Sequence, residues 1–580
     1  MVRLRIDGRG TEAPEGATIL QAAHGLGIDI PTICYLEGLN EIGACRVCVV
    51  EVEGMDRLAA ACNTPVCEGM SVLTNSPRVR STRKVNVELL LSRHDCKCLT
   101  CVRSGNCGLQ EIANSLGLFR SVYRNETVHT EWDGGFPLSR DVSRCVQCLR
   151  CIQVCDNIQG LHVWDLVNFG SHIDVDVSRN HRIHESPCAI CGQCVTHCPT
   201  GALSARDDTE EVYAALADPG TTTVAQIAPA VRSAWADSLG LGPEEATPGR
   251  MVAALRRIGF DYVFDTDFGA DLTIMEEGME FLERVLHAES RMKYPMFTSC
   301  CPGWVRFVKA RYPDMAPFLS SAKSPQQMFG AIAKSYFAEL RGLDPGKMFV
   351  LSIMPCVAKK HERALPGMDS AGAGPDVDAV LTTREFARLI RADHVNMAQL
   401  EDEAFDMPLG EATGAGVIFG ATGGVMEAAL RTVYCVVTGG KPPQADAFRE
   451  VRGMDGWKSA EFSVAGTKVR VAVVSGLANA GRMLDAIRAG EAEYDFVEVM
   501  ACPGGCAGGG GQPIKRVMGK KLAAERGERL FALDEGSAMR YSHENPSIIR
   551  LYDDYLGKPL SHRAHELLHY EHGLWEMPHR

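Results

Sequence analysis

The stretch Met348–Cys356, MFVLSIMPC, decides the fold of the larger part of this chain. An uncharged apolar run of strand length stops at a proline and a cysteine, which reads as a buried strand rather than a helix. Two other runs end in the same way, MFTSCC at 296–301 and YDFVEVMAC at 494–502. The surrounding chain has α/β texture from about residue 211 onward. TTTVAQIAP (221–229) reads as a strand, GRMVAALRRIGF (249–260) as an amphipathic helix and DYVFDTD (261–267) as a strand again. Open α/β sheets place their sites at the carboxyl ends of strands. Three strand ends therefore bring Cys301, Cys356, Cys502 and the nearby Cys506 to one pocket. Such a donor set suits a 4Fe-4S cube held between structural elements rather than on a single loop.

The chain has 580 residues, enough for several domains. It is 46% hydrophobic and 23% charged, the composition of an ordinary soluble protein. A net charge of -13 argues against nucleic acid as a partner. No run approaches the roughly 20 apolar residues of a spanning helix. The start, MVRLRIDGRG, lacks the basic head and apolar core of a signal peptide. The expectation is a cytoplasmic protein without nucleic-acid or membrane partners. The anomaly is its 23 cysteines, which in a reducing compartment point to metal binding rather than disulfides.

Their spacing divides the first part of the chain. Residues 1–78 alternate as strands around a short helix and carry Cys34, Cys45, Cys48 and Cys62. One cysteine, a C-x-x-C pair and a distant fourth suit a 2Fe-2S cluster in a long loop, with a zinc site as the lesser alternative. Residues 79–135 carry a helical run and then HDCKCLTCVRSGNC (94–107). His94, Cys98, Cys101 and Cys107 could hold one 4Fe-4S cluster. Cys96 rivals His94 as the fourth ligand, and a histidine near a helix end can also serve as a cap. Residues 136–210 carry two C-x2-C-x2-C-x3-C runs, RCVQCLRCIQVC (144–155) and PCAICGQCVTHCP (187–199). In such runs the fourth cysteine ligates the other cluster. Cys145, Cys148, Cys151 and Cys198 then form one set; Cys188, Cys191, Cys194 and Cys155 form the second.

Residues 211–580 hold the remaining pocket. The loop ACPGGCAGGGGQP (501–513) lies between an apolar strand and a basic segment, and its glycines suit close backbone approach to a cofactor. No Lys-Ser/Thr follows them, so it is not a phosphate loop.

Three segments resemble the signature regions of the iron-only (FeFe) hydrogenases: TSCCPGW at 298–304, MPCVAKKHE at 354–362 and EVMACPGGCAGGGGQP at 498–513. The order of the cysteine groups resembles the long clostridial-type form with four accessory iron-sulfur clusters. The tail SHENPSIIRLYDDYLGKPLSHRAHELLH (542–569), within a segment of about 525–580, is similar to the family's small subunit. The resemblance implies a multidomain α+β and α/β protein. It would comprise a β-grasp 2Fe-2S domain (1–78), a His/Cys3 domain (79–135), a two-cluster ferredoxin domain (136–210) and a large α/β H-cluster domain (211–580).

The implied activity is reversible hydrogen oxidation and proton reduction. The implied cofactors are one 2Fe-2S cluster, three accessory 4Fe-4S clusters and an H-cluster. The H-cluster is a cube sharing one thiolate with a two-iron unit that carries CO, cyanide and an azadithiolate. By family position Cys301, Cys356, Cys502 and Cys506 ligate the cube, Cys506 is the bridge, and His94 is preferred over Cys96. Cys300, next to a cluster ligand and without a metal duty of its own, is the implied proton carrier. Glu280, Ser320 and Glu283 align with the relay behind it, and the expected surface arginine reads His287. Pro229, Ala230, Pro325, Gln326, Met354, Lys359 and Met500 line the two-iron pocket by family position, Lys359 facing a cyanide and Ala230 standing where some members have serine. Implied partners are a ferredoxin or similar electron carrier, NAD(P)-binding flavoprotein subunits in multi-subunit relatives, and maturation proteins. Arg46, Arg103, Arg144 and Arg150 read either as a docking collar for an acidic ferredoxin or as neutralisers of anionic clusters. An electron-transfer subunit is the alternative for residues 1–210, and a hydrogen sensor for the whole chain; the presence of Cys300 speaks against a sensor.

Overall fold

The structure, a computed structural model, describes residues 1–578 apart from 120–122, 125, 171–172, 243, 287–292, 441–445, 465 and 516–518. His287 thus lies outside the described residues.

The first unit is a five-stranded sheet in the order β2-β1-β5-β3-β4, with β1 Val2–Ile6, β2 Arg9–Ala13, β3 Val49–Val52, β4 Ala59–Ala60 and β5 Ser71–Leu73. VRLRI alternates, so Leu4 and Ile6 point into the core. The two-residue turn Asp7-Gly8 has positive φ at both positions, which suits a tight hairpin. The helix Ile19–Gly25, opened by a Thr18–Gln21 capping box, lays Ile19, Leu20 and Ala23 on the sheet. This is the expected β-grasp. Ser76 caps the helix Pro77–Leu91, which leads to the loop of His94 and three cysteines. Two short antiparallel pairs frame the paired cysteine runs: β6 Leu138–Arg140 with β9 Leu203–Ala205, and β7 Trp164–Val167 with β8 Asp174–Val177.

The remainder carries two four-stranded sheets. β10 Thr222–Ile227, β11 Tyr262–Asp265, β13 Met348–Met354 and β14 Ala379–Thr382 form an all-parallel sheet in the order β11-β10-β13-β14. β12 Met296–Phe297, β15 Trp457–Val464, β16 Thr467–Ser475 and β17 Phe496–Met500 form the second, ordered β12-β17-β16-β15, in which only the edge strand β15 is antiparallel. The central strand β13 is buried along nearly its whole length, as its uncharged run predicts. The helix Thr266–Phe281 packs against the helices Pro325–Ile332 and Gly424–Thr438. All of its residues except Met275 and Met279 are buried. The C-terminal segment closes over one side: Lys323 N–H bonds the Leu568 carbonyl at 2.8 Å, and Tyr570 N–H bonds that of Ser321 at 2.9 Å. Among the described residues no helix is long and apolar enough to cross a membrane.

Candidate active site

The three cysteine-ended strands belong to different sheets, β13 to one and β12 and β17 to the other, and the site lies where their carboxyl ends meet. Cys301 starts the helix Pro302–Arg311, and its Sγ accepts the Ala501 N–H at 3.4 Å. Cys356 follows β13, Cys502 follows β17 and Cys506 sits in the glycine loop. Burial pushes all four thiols up. Each of Cys356, Cys502 and Cys506 is raised further by the charge its neighbours would carry, Cys356 to about 12. Four buried thiols that resist ionising together, with Lys359 as the cation that lowers Cys301, Cys356 and Cys506, are matched to a bound cationic iron centre.

The glycines follow from packing. A Cβ on Gly509 would lie 2.3 Å from the Pro355 carbonyl oxygen, and one on Gly510 would lie 2.3 Å from that of Cys191. The loop is thus pressed between Cys356 and the second ferredoxin-type run. Cys502 Sγ meets the Cys191 carbonyl at 3.7 Å, so the strand-end cysteines abut the nearest accessory set directly.

Beside the four thiols is a cavity of about 70 Å³, lined by Cys300, Cys301, Cys356, Cys506, Lys359 and Gln326. Pro229, Ala230, Pro325, Met354 and Met500 form the rest of its expected wall. The wall is mainly apolar, and Gln326 Oε1 has no hydrogen-bond partner, so one polar atom remains available to a guest. Ala230 is fully buried and its carbonyl accepts Gln512 Nε2 at 2.8 Å. Lys359 Nζ lies 3.1 Å from the Cys300 carbonyl and 2.8 Å from Glu362 Oε2. Burial alone would lower its pKa, but the Glu362 carboxylate outweighs this and raises it. Glu362 also accepts Ser324 Oγ at 2.8 Å and Gln326 Nε2 at 3.2 Å. It fixes both polar groups that face the cavity, and the sequence reading missed it; its only signal is the spacing of Lys359 and Glu362, three residues apart.

The acids behind Cys300 differ from expectation. Burial raises Cys300 well above the usual thiol range, and the next largest influence is Glu277 rather than Glu280. Glu277 is fully buried, and neither carboxylate oxygen makes a hydrogen bond of ordinary geometry. Burial, then the Glu280 charge, push it up to about 8 against lowering contributions from the Ser320 hydroxyl and the Ser299 amide. Glu280 takes the outer place. Its Oε2 accepts Ser320 Oγ at 2.6 Å, its Oε1 accepts Ser321 Oγ at 2.8 Å, and Arg284 lies 2.6 Å away. Glu283 is exposed, on the rim of an outer cavity of about 760 Å³ that also reaches Glu280 and Arg284. The acid next to Cys300 is thus Glu277, one helical turn before the expected Glu280. Arg284 lies beside Glu280, while His287, where the surface arginine was sought, is outside the described residues. Glu277, Glu280 and Glu283 follow one another at a spacing of three, so the spacing alone does not say which of them neighbours Cys300.

Three of the four accessory cysteine sets lie together in the structure. The Cys34, Cys45, Cys48 and Cys62 thiols are close enough to hydrogen-bond one another, Cys34 being pushed down first by the Cys45 thiol. The His94 ring is buried and donates to the Arg144 backbone, an orientation typical of a metal-bound imidazole. Cys96 is exposed, and its thiol meets the His94 carbonyl at 3.4 Å. Cys145, Cys148, Cys151 and Cys198 line one small cavity; Cys155, Cys188, Cys191 and Cys194 line another. These are the sets predicted by exchange of the fourth cysteine. Asn40, fully buried, donates to the Cys34 carbonyl at 2.8 Å and the Cys148 carbonyl at 2.9 Å, tying the first loop to the first run. Arg103 and Arg150 are buried among cysteines, so the docking-collar reading fails for them and they neutralise instead. Arg46 is exposed. Cys67 is exposed as well.

The profile "Iron only hydrogenase large subunit, C-terminal domain" matches residues 221–510, and that of the iron hydrogenase small subunit matches 520–573. A 2Fe-2S cluster binding domain matches 1–77, an NADH-ubiquinone oxidoreductase-G iron-sulfur region matches 83–121, and an NADH-quinone oxidoreductase subunit 3 ferredoxin-like domain matches 135–204. The chain is 50% identical over 578 residues to an NADP-reducing hydrogenase subunit of Solidesulfovibrio fructosivorans, with 98% of each covered. It is 38% identical over 582 residues to iron hydrogenase 1 of Clostridium pasteurianum, with 99% of this chain and 100% of that one covered. A solved variant of the [FeFe]-hydrogenase of Chlamydomonas reinhardtii superposes with a TM-score of 0.56 at 44% identity, over 64% of this chain and 100% of the other.

Proposed function

Because the chain belongs to the iron-only hydrogenase family, we propose a role for each group of residues in its chemistry. The protein is an oxidoreductase acting on hydrogen, with an H-cluster domain and 2Fe-2S and 4Fe-4S binding domains. Cys301, Cys356, Cys502 and Cys506 would hold the cube, with Cys506 the bridging thiolate. His94, Cys98, Cys101 and Cys107 would hold one accessory 4Fe-4S cluster, the two ferredoxin-type sets two more, and Cys34, Cys45, Cys48 and Cys62 the 2Fe-2S cluster. When bound, these groups supply electron exchange and the redox chemistry of hydrogen.

The chain's own residues move the protons and shape the pocket. Cys300 opens onto the cavity and keeps its proton at neutral pH because burial disfavours the thiolate. Glu277 receives and returns that proton from the other side. Ser320 lies between Glu277 and Glu280 and turns its O–H from one to the other. Glu280 meets Arg284 and the outer cavity. Glu362 holds Lys359 and Gln326 toward the diatomic ligands, while Met354, Met500 and the prolines exclude water. The observation that carries this reading is a cavity lined by Cys300 together with Cys301, Cys356 and Cys506.

The proposed electron partner is a ferredoxin-like carrier or NAD(P)-binding flavoprotein subunits, the name of the Solidesulfovibrio relative pointing to NADP reduction by an enzyme of more than one subunit, and the proposed setting is the cytoplasm. Maturation proteins would install the two-iron unit. Protein co-expressed with them should evolve hydrogen from reduced viologen and show infrared bands of metal-bound CO and cyanide. Matured protein without those bands would overturn the assignment.

A further inference from the structure

Behind the relay lies a hydrogen-bonded pair that comes from opposite ends of the catalytic unit. His569, in the C-terminal segment, is 5% exposed. Its Nδ1 is 2.8 Å from Ser321 Oγ, and its Nε2 is 3.0 Å from Glu276 Oε2. Ser321 spends its own O–H on Glu280 Oε1, at 2.8 Å. Toward the ring it can therefore only accept, and Nδ1 must carry the hydrogen. Glu276 is fully buried and already accepts the Tyr552 hydroxyl and the Leu560 N–H, the latter at 2.9 Å. The bond between the ring and Glu276 closes either as N–H to a carboxylate or as O–H to nitrogen. In both forms the pair holds one proton that can leave through Nδ1.

We propose that His569, with Glu276, is a positioning and proton-storing partner of Glu280, so that the small-subunit-like segment contributes to the proton path and not only to the shell of the protein. This rests on the reading of Glu280 as the outer station of the relay. In the forward step the Nδ1–H proton passes to Ser321 Oγ while the Ser321 hydroxyl proton passes to Glu280 Oε1. The carboxylate becomes a carboxyl, and the ring is left neutral with one hydrogen toward Glu276. Reloading runs the same two transfers backward, with no electron moved. The arrangement is rigid: an isolated β-bridge joins Ala322 to His569, and Ser321 N–H also bonds Glu280 at 3.0 Å. The charged or titratable groups around the ring are Glu276 and Glu280 from the helix Thr266–Phe281, Arg284 from the following turn and Tyr552 from the turn before the tail. His565 stacks on the ring with centroids 4.5 Å apart, and His572 bonds the Ser320 carbonyl at 2.8 Å.

The test uses matured holoenzyme and the variants His569→Gln, Ser321→Ala and the double variant. Hydrogen evolution from reduced viologen is measured across pH 6 to 9 in H2O and D2O, and cluster integrity is checked by the infrared bands. His569→Gln should lower kcat about tenfold with KM for viologen unchanged, enlarge the solvent isotope effect and alter the pH profile, while the infrared bands stay intact. Ser321→Ala should do the same, and the double variant should lose little more than either alone, because both sever one link. In His569→Ala, added imidazole should restore part of the rate. Losses that multiply in the double variant, or a His569→Gln enzyme with wild-type rate, pH profile and isotope effect, would overturn the proposal. So would intact bands with a rate loss insensitive to both D2O and imidazole. Glu280→Gln separates the two levels: if it too leaves turnover unchanged, the relay reading is at fault; if it abolishes turnover while His569→Gln does not, only the His569 link fails.

Discussion

Glu277→Gln is the sharpest perturbation of the inner proton path, because its effects on rate and on stability should have opposite signs. Burial holds this carboxyl at about 8 against an ordinary value of 4.5. At pH 7 about nine in ten molecules keep it protonated, so it can reload Cys300, and its conjugate base is close enough in energy to form during turnover. Glutamine fills the same volume and cannot exchange a proton. Hydrogen evolution should fall by about a hundredfold or more, the usual scale for losing a positioned acid–base group. In the wild type, evolution should weaken as pH rises through about 8, where the acid form of Glu277 is lost.

Stability should move the other way. The folded state binds the Glu277 proton more tightly than the unfolded state. Stability is therefore unaffected by this group below its ordinary pKa, falls as pH rises from about 4.5 toward about 8, and levels off above. A shift of this size corresponds to up to about 5 kcal/mol at the plateau. The glutamine variant lacks that slope and should resist unfolding better than wild type at pH 8.5, with the gap closing toward pH 5. Matured enzymes would be compared by viologen-driven hydrogen evolution and by circular dichroism on heating at the two pH values. A variant that keeps more than half the wild-type turnover would refute Glu277 as the inner station. A stability gap that widens as pH falls would refute the assigned protonation state.

Other substitutions separate further assignments. Cys300→Ala should leave the CO and cyanide bands in place and nearly abolish turnover; loss of the bands would mean that Cys300 carries metal. Cys96→Ser should leave every accessory cluster signal in the electron paramagnetic resonance spectrum unchanged, whereas His94→Ala should erase or shift one, and the reverse result would exchange the two ligands. Glu362→Gln strands the buried Lys359 ammonium, a change that costs roughly 3–5 kcal/mol when a buried pair is broken. It should lower thermal stability and shift the cyanide bands, and unchanged bands would remove Glu362 from the pocket's support.

What was legible in the sequence was local. Metal ligands must lie within reach of one centre, so a C-x2-C-x2-C-x3-C run announces itself, and the exchange of Cys155 and Cys198 follows from the two-run pattern. The strand-end cysteines were legible because a largely apolar, strand-like run stopped at each. What escaped depended on contacts between distant segments. Glu362 acts through Ser324 and Gln326, which arrive from another helix. Arg103 and Arg150 stayed open between docking and neutralising because nothing local shows that the cysteine loops enclose them.

The acid helix Thr266–Phe281 explains the one misplaced assignment, and it also supplies the means of correcting it. A helix buried on all sides has no polar face, so its period gives the phase of its acids but not which of them faces the metal pocket. Five of them are buried, and four are answered. Arg232 lies 3.0 Å from Asp267, and Thr413 Oγ1 2.7 Å from Asp271. His569 lies 3.0 Å from Glu276, and Arg284 2.6 Å from Glu280. Asp267 and Glu277 both keep their two oxygens without a hydrogen bond of ordinary geometry, but Asp267 is ion-paired with Arg232 and, among the described residues, Glu277 has no ion pair. An unanswered buried carboxyl is costly and persists where function requires it. Its position against Cys300, rather than its spacing in the sequence, is the ground on which we propose it as the inner station of the proton path.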